Sequence, residues 1–168
     1  MGMRTAIDEI PKTLFLFLLI FVIVPLISCG GNNSMFKDGC YSAVASDYDS
    51  RGWKDYLTII VSGGEIIHAE YNAFNMRGFV KTWDMDLKRD MYDLNRTYPS
   101  AYIRYYTRYL LQYQSTEGIN VMSGASESYP LFIALGKAVL ENAREGNNVT
   151  VEVHVDGENE ESPDKVQP

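Results

Sequence analysis

The sequence predicts a single small α+β domain, an antiparallel sheet packed with helices, because segments with strand character come first and segments with helical periodicity follow. Residues 53–62 and 65–74 are rich in β-branched and aromatic side chains and meet at Gly63-Gly64. Glycine supplies the positive φ angles of a tight hairpin turn, so the two segments predict a β-hairpin. From Pro99 onward, apolar residues recur every three or four positions, as in helices buried on one face.

The remaining N-terminal elements follow in order. Residues 39–46 alternate weakly and predict a strand ahead of the hairpin. Both faces of residues 53–62 are fairly apolar, so we expect this strand to be covered on both sides. Residues 79–94 fit a helix with one apolar stripe, and Pro99 suits the first turn of the next helix.

Tyrosines mark the helix that begins at Pro99. A stripe at helical spacing usually belongs to the core, so we expect most of these rings to be buried, with one or two free to flank an aromatic ligand. The stripe consists of Tyr102, Tyr105, Tyr106, Tyr109, Leu110 and Tyr113.

The C-terminal part of the domain combines one more helix with one more strand. The helix is predicted to begin near Pro130 and to end at Gly146, which suits a helix C-cap. Residues 149–155 alternate strictly and predict a closing strand with its polar side chains facing water. The buried stripe of the helix is predicted to contain Leu131, Ala134, Leu135, Ala138 and Val139, and the outward side chains of the strand to be Thr150, Glu152 and His154.

The N-terminal segment, residues 1–28, has the length and the apolar centre of an export signal. Its apolar run, residues 14–27, is shorter than the roughly 17 to 25 residues of a transmembrane helix. The run leads into Leu26-Ile27-Ser28-Cys29, which resembles the lipobox of bacterial lipoproteins, where the cysteine carries the lipid. We therefore predict a lipid anchor on Cys29, at the cell membrane or the outer membrane and outside the cytoplasm. The alternative is a short membrane anchor with an incidental cysteine.

Composition limits what the mature chain can do. Residues 29–35 are small and polar and predict a flexible tether, residues 36–155 the folded domain, and residues 156–168 a disordered acidic tail. The net charge of -7 argues against a nucleic-acid partner. With Cys29 lipidated, only Cys40 remains, so we expect no disulfide within the mature chain and predict that Cys40 is a buried packing residue.

The most informative segment is residues 120–129, with the sequence NVMSGASESY. It places Ser123-Gly124-Ala125-Ser126 three positions after Asn120. This loop resembles the flavinylation motif of FMN-binding domains, in which an acidic residue is followed after two positions by Ser/Thr-Gly-Ala and then Thr or Ser. That family includes the C subunit of the sodium-pumping NADH:quinone reductase, the G subunit of the Rnf complex, and lipoproteins of extracellular electron transfer.

Other segments carry the same resemblance, in the order found in the lipoprotein branch of the family. Together with the loop they extend it over about residues 38–146. They are Asp38-Gly39-Cys40-Tyr41, residues 52–56 (GWKDY), Gly64 with Ile66, residues 71–75 (YNAFN), and Ala101-Tyr102.

The resemblance implies a cofactor and a partner. A Mg-dependent flavin transferase takes FAD, attaches FMN through a phosphoester to the hydroxyl of Ser126, and releases AMP. Ser123, Gly124, Ala125 and Asn120 complete the implied cofactor-binding loop, which belongs to an FMN-binding-like domain. Asn120 stands where the family has Asp and Ser126 where Thr is more usual; serine keeps the nucleophilic hydroxyl, and asparagine can still form hydrogen bonds in the loop.

The chemistry of the residues is compatible with such an attachment. Glycine and alanine just before Ser126 let a bulky flavin donor approach the backbone closely. The loop leads into the helix predicted near Pro130, whose positive end attracts a phosphate. We expect this helix end to take the place of a nearby lysine or arginine.

Two other readings of these residues are weaker. Residues 124–128 (GASES) resemble the nucleophile elbow of hydrolases but lack its final glycine. The only histidines are His68 and His154, and the second lies on a predicted outer face, which disfavours a Ser-His-Asp site. Aspartates 84, 86, 90 and 93 lack the glycine and the spacing of a calcium loop and fit a solvated helix face better.

The leading hypothesis is an electron carrier rather than a stand-alone enzyme, with FMN on Ser126 and the domain held at the membrane by Cys29. Its implied partners are the flavin transferase, the membrane itself and membrane redox proteins. Two alternatives remain open. One is a surface lipoprotein that binds or senses a flavin reversibly, and the other is a structural lipoprotein without flavin.

Overall fold

The structure, a computed structural model, describes residues 35–154. The predicted export signal, Cys29, most of the tether and the acidic tail lie outside the described residues. Four strands and three helices make up the described part, with a short 3-10 helix, Lys81–Trp83, ahead of the first α-helix. The elements are β1 (Gly39–Ala45), β2 (Trp53–Ser62), β3 (Glu65–Asn75), α1 (Met85–Asn95), α2 (Pro99–Tyr113), α3 (Ser128–Glu145) and β4 (Val151–Val153).

The strands form one sheet in the order β3-β2-β1-β4. β1 pairs with β2 and β2 with β3 in antiparallel fashion, whereas β1 and β4 are parallel. The α+β class is therefore confirmed, but the sheet is mixed rather than purely antiparallel. A parallel neighbour needs a long crossover, and α1, α2 and α3 lie between β3 and β4 in the chain.

The hairpin between β2 and β3 is confirmed. Ser62 pairs with Glu65, and the turn between them contains Gly63 at φ 65° and Gly64 at φ 82°. Both values lie in the left-handed region that glycine adopts without steric cost, which is why this sequence turns so tightly here.

The helices cover one face of the sheet. In β2 the inward side chains of Leu57, Ile59 and Val61 are buried, while Tyr56 is half-buried and Ile60 is 38% exposed. The prediction that β2 is covered on both sides is wrong, because α2 packs on β3 and α3 packs on β1 and β2 from the same side.

Cys40 illustrates the same one-sided packing. β1 turns Tyr41, Ala43 and Ala45 inward, so the alternation of the strand puts Cys40 on the other face. Cys40 is exposed, and the prediction that it is a buried packing residue is wrong.

The tyrosine stripe of α2 is confirmed as core. Tyr102, Tyr106 and Leu110 are buried, whereas Tyr105 and Tyr113 lie at the edge of the stripe and are exposed. Pro99 occupies the first turn of α2, as predicted.

α3 begins at Ser128, close to the predicted start, and ends before Gly146 at φ 74°. Leu135 and Val139 are buried as predicted. The rest of the predicted stripe is only half-buried, and the buried positions beside it are Phe132, Leu140 and Ala143. Within residues 35–154, we find no helix with the length and apolar character needed to cross a membrane.

The segment predicted as one helix over residues 79–94 is divided. Val80 forms a bridge with Phe74, the 3-10 helix follows, and α1 starts only after Asp84. The carboxylate of Asp84 accepts hydrogen bonds from the backbone N–H groups of Asp86 and Leu87, which caps α1.

Candidate functional site

A cleft of about 200 Å³ opens at the end of the sheet where β2 begins. Five parts of the chain contribute to it. Arg51 comes from the connection between β1 and β2, Lys81 from the 3-10 helix, Asn95 from the end of α1, Tyr102 from α2, and Ser126 from the loop ahead of α3. Residues distant in sequence thus meet around the loop that the sequence singles out.

The predicted loop residues divide into two groups. Ser126, which is exposed, and Gly124 line the cleft. Ala125 is 2% exposed and holds the loop on the core, and its carbonyl oxygen accepts a hydrogen bond from Tyr129 N–H at 2.9 Å. Ser123 and Asn120 are also exposed, but they do not line the cleft.

Gly124 is required by its backbone angle and by its neighbours. Its φ is 76°, and a Cβ atom at this position would lie 2.7 Å from Thr97 Cγ2 and 2.8 Å from Asn95 Cβ. These contacts are shorter than carbon atoms tolerate, so the loop sits this close to the end of α1 only because residue 124 has no side chain.

Replacing Gly124 by alanine is expected to lower the free energy of unfolding by about 2–3 kcal/mol, from backbone strain plus overpacking. Gly63→Ala is the matched control, since Gly63 also has a positive φ but nothing lies within 4 Å of its added Cβ. Urea denaturation of both variants separates the cost of backbone strain, which both share, from the cost of overpacking, which only Gly124→Ala has. Equal losses would show that the contact with Thr97 and Asn95 does not hold the loop.

Lys81 is the cation inside the cleft. Its side chain is 7% exposed, and its ammonium lies 3.7 Å from Asp55 Oδ1 and 3.8 Å from Asp49 Oδ2. Both distances exceed a hydrogen bond, so the ammonium is attracted by the carboxylates while it lines the cleft. Within residues 35–154, Asp55 Oδ1 has no hydrogen-bond partner, so Lys81 is what compensates this buried charge.

A chain of hydrogen bonds connects Asp55 with the cleft. The Tyr71 hydroxyl donates to Asp55 Oδ2 and lies 3.0 Å from the carbonyl oxygen of Ser128. The Ser128 hydroxyl in turn donates to the Tyr102 hydroxyl oxygen at 3.2 Å. The first turn of α3 is thereby fixed to β2, β3 and α2, which gives the Ser126 loop a rigid support.

Burial determines the protonation of this network. It raises the pKa of the Asp55 carboxyl, and the nearby Lys81 ammonium acts in the opposite direction. Burial also raises the pKa of the Tyr71 phenol well above its usual value and raises the pKa of Tyr102. Both phenols therefore stay protonated at neutral pH, and Tyr71 remains the donor to Asp55 while Tyr102 accepts from Ser128.

Arg51 and Glu127 meet at the mouth of the cleft. Arg51 Nη2 lies 3.0 Å from Glu127 Oε1, and the two side chains are 50% and 61% exposed. Glu127 precedes the first turn of α3 and makes no side-chain cap. In that turn the Tyr129 N–H donates to the Ala125 carbonyl at 2.9 Å and Pro130 has no N–H, so this helix end offers few free N–H groups.

The expectation that the loop has no nearby lysine or arginine is wrong, because Arg51 and Lys81 both line the cleft. They are distant from Ser126 in sequence, and the fold brings them there. One signal was available: Asp55 occupies an inward position of β2, between buried Trp53 and Leu57. A carboxylate at such a position requires a buried cation.

The cleft and the N-terminal chain lie at opposite ends of the sheet. Lys37 N–H donates to the Ala143 carbonyl at 2.8 Å, and Asp38 Oδ1 accepts from Gly64 N–H at 3.0 Å, so the chain reaches the fold at the hairpin end. β2 runs from the cleft end at Trp53 to the hairpin end at Ser62, a separation of roughly 30 Å at about 3.3 Å per residue.

Two known proteins are similar to this chain over about 70% of its length. The chain is 32% identical over 118 residues to the 15 kDa lipoprotein of Treponema pallidum (strain Nichols), across 70% of this chain and 84% of the relative. The crystal structure of the CPE2226 protein from Clostridium perfringens superposes with a TM-score of 0.68 at 34% identity, over 71% of this chain and 98% of that one. A comparison with models of protein families finds no match. The identity and coverage of the first relative place this chain in the family of the 15 kDa lipoprotein.

Proposed function

We propose that this protein is a membrane-anchored lipoprotein that carries FMN through a phosphoester on Ser126 and acts as an extracytoplasmic electron-transfer module. One observation carries the proposal: the exposed hydroxyl of Ser126 shares a cleft with the cations of Lys81 and Arg51. A hydroxyl is the group that is esterified, and two cations are what a phosphate attached to it needs.

The residues of the cleft fit the phosphate of FMN. Lys81 is held rigidly by two carboxylates, so its ammonium is in place before a ligand arrives. Arg51 is half exposed and can turn from Glu127 toward a phosphate, with which a guanidinium forms two parallel hydrogen bonds.

The loop also fits the attachment reaction. Ser126 is exposed, so the flavin transferase can reach its hydroxyl without unfolding the domain. Gly124 lets the loop pack against the end of α1, and buried Ala125 fixes the loop on the core, so both hold Ser126 in place. FMN, once bound, supplies the electron transfer, and the protein supplies its position and its electrostatic surroundings.

The anchor on Cys29 then defines the orientation of the domain. Five residues lie between Cys29 and Met35, and the six steps of this tether span at most about 20 Å when fully extended. That is less than the roughly 30 Å between the hairpin end and the cleft end. The domain therefore stands with its hairpin end toward the bilayer, and electron-transfer partners reach the cleft from the side away from it.

Ser126→Ala is expected to abolish covalent flavin completely. The protein is produced together with a flavin transferase, and fluorescence is read under ultraviolet light after denaturing electrophoresis. Ser62→Ala is the matched control, since Ser62 is an exposed serine at the far end of β2. A fluorescent band that survives in Ser126→Ala, or no band in the wild type, contradicts attachment at this site.

The same experiment separates the alternatives. A flavin that purifies with the native protein but leaves it on denaturation indicates a reversible flavin-binding or flavin-sensing lipoprotein. Colourless protein that also fails to bind added FMN in a titration indicates a structural lipoprotein.

A further inference from the structure

An aromatic groove of about 230 Å³ lies beside the cleft. Its walls come from the start of β2, the end of β3 and the segment that leads into α1. The lining residues are Trp53, Asn75, Phe79, Val80, Trp83 and Asp84.

The exposure of two of these rings is unusual. Trp83 is 76% exposed and Phe79 is 62% exposed, although both carry a large apolar surface. Trp53, at the floor, is only 7% exposed. Exposed aromatic side chains around a concave surface indicate a binding site for an apolar or aromatic group, since the fold gains nothing from leaving them in water.

Lys81 lies between the groove and the cleft. Its ammonium lines the cleft and is 6.0 Å from the centre of the Trp53 ring. Val80 and Trp83, which lie on either side of it in the chain, line the groove. A ligand whose phosphate is at Lys81 can therefore extend its other end into the groove.

We infer that the groove formed by Trp53, Phe79 and Trp83 binds the isoalloxazine ring of the flavin, with the ring stacked on Trp83. The inference rests on the proposed function. The ring is a planar, largely apolar group that stacks well on aromatic faces, and the ribityl chain links it to the phosphate. Phe79 and Trp83 supply open faces, and Trp53 closes the floor.

The tyrosines of α2 are poorly placed for this role. Tyr106 is fully buried and stacks on Phe132, with ring centres 4.9 Å apart. Tyr102 is 2% exposed and presents its hydroxyl to Ser128 rather than a free face to the cleft. We therefore place the isoalloxazine ring in the groove and not against the tyrosines of α2.

Two measurements on protein produced with the transferase test the inference. Stacking on an indole quenches flavin fluorescence, so in native solution Trp83→Ala is expected to raise the flavin emission severalfold. Met76→Ala, which removes an 83% exposed side chain from the same segment but outside the groove, is expected to leave it unchanged. Emission is normalised to the flavin content measured on the denaturing gel.

The second measurement uses the two tryptophans of the chain, which give two indole N–H signals in a ¹H–¹⁵N spectrum. Trp83→Phe assigns them. The Trp83 signal is expected to differ between flavin-loaded protein and unloaded Ser126→Ala, and to move when riboflavin is added to the unloaded variant.

The outcomes distinguish the two proposals. A missing band on the gel contradicts covalent attachment, while a riboflavin-induced shift of the Trp83 signal still supports the groove. Loaded protein whose emission is the same in Trp83→Ala and Met76→Ala overturns the groove but not the attachment. Without loading, a Trp83 signal that does not move with riboflavin overturns both.

Discussion

Lys81→Met is expected to lower the free energy of unfolding by about 3–5 kcal/mol, because it leaves a buried carboxylate without a compensating charge. Asp55 is 2% exposed, and within residues 35–154 Lys81 is the cation that lies within 4 Å of its Oδ1. Methionine preserves most of the side-chain length, so the loss reports the charge rather than the packing. Urea denaturation measures it, and Lys137→Met, on the exposed side of α3, is the control.

The loss in Lys81→Met should depend on pH. Burial raises the pKa of Asp55 in the native state above its ordinary value of 3.8. At a pH between 3.8 and the native pKa, Asp55 is therefore protonated in the native state but ionised in the unfolded chain. Stability from this group is therefore present at low pH and decreases as the pH rises through that window. Removing Lys81 raises the native pKa further, so the stability deficit of the variant should shrink as the pH falls from neutral toward the ordinary pKa of 3.8.

A second substitution makes this prediction specific. Asp55→Asn in the Lys81→Met background removes the uncompensated charge, so it should recover part of the lost stability and remove the pH dependence. A stability deficit of Lys81→Met that stays the same as the pH falls, or no recovery in the double variant, would show that the Lys81–Asp55 pair does not set the stability of this end of the sheet.

Phe132→Ala is expected to cost about 3–5 kcal/mol, because it empties the centre of the core. Phe132 is fully buried. The centre of its ring lies 4.9 Å from that of Tyr106 and 5.0 Å from that of Tyr71. The cavity would lie beside Tyr71, whose hydroxyl supports both Asp55 and Ser128. A change in the cleft should therefore accompany the loss of stability.

Ile133→Ala is the matched control for Phe132→Ala, because Ile133 follows it in α3 but is only half-buried. Chemical denaturation should show a clearly smaller loss for Ile133→Ala. Similar losses for the two variants would mean that the aromatic cluster is not the centre of the core.

Elements whose signals are local were predicted well. The hairpin depends on Gly63 and Gly64, whose positive φ angles are a property of two residues and need no tertiary contact. The start of α2 depends on Pro99, and the end of α3 on Gly146, for similar local reasons.

The face of a helix or strand that is buried in the core was predicted less well. Periodicity defines a stripe on a helix, but the rotation of that helix against the sheet decides which flank is buried. This is why Phe132 and Leu140 are buried in α3 while Leu131 is half-buried. The same limitation explains the exposed Cys40, since an apolar strand does not reveal which of its faces the helices will cover.

The motif of residues 120–129 predicts Ser126 and Gly124 in a cofactor site, and both line the cleft. Their role there stays a prediction. The cations around it could not be predicted in this way. Arg51 and Lys81 lie in separate loops, and no local pattern links either of them to Ser126.

Local sequence patterns were thus sufficient for the class of the fold, for its hairpin, for the start of α2 and for the end of α3, because each depends on neighbouring residues. The parallel position of β4, the burial of Lys81 between Asp49 and Asp55, and the aromatic groove beside the cleft come from tertiary packing. They depend on contacts between segments far apart in the chain, and such contacts leave no periodic trace in the sequence.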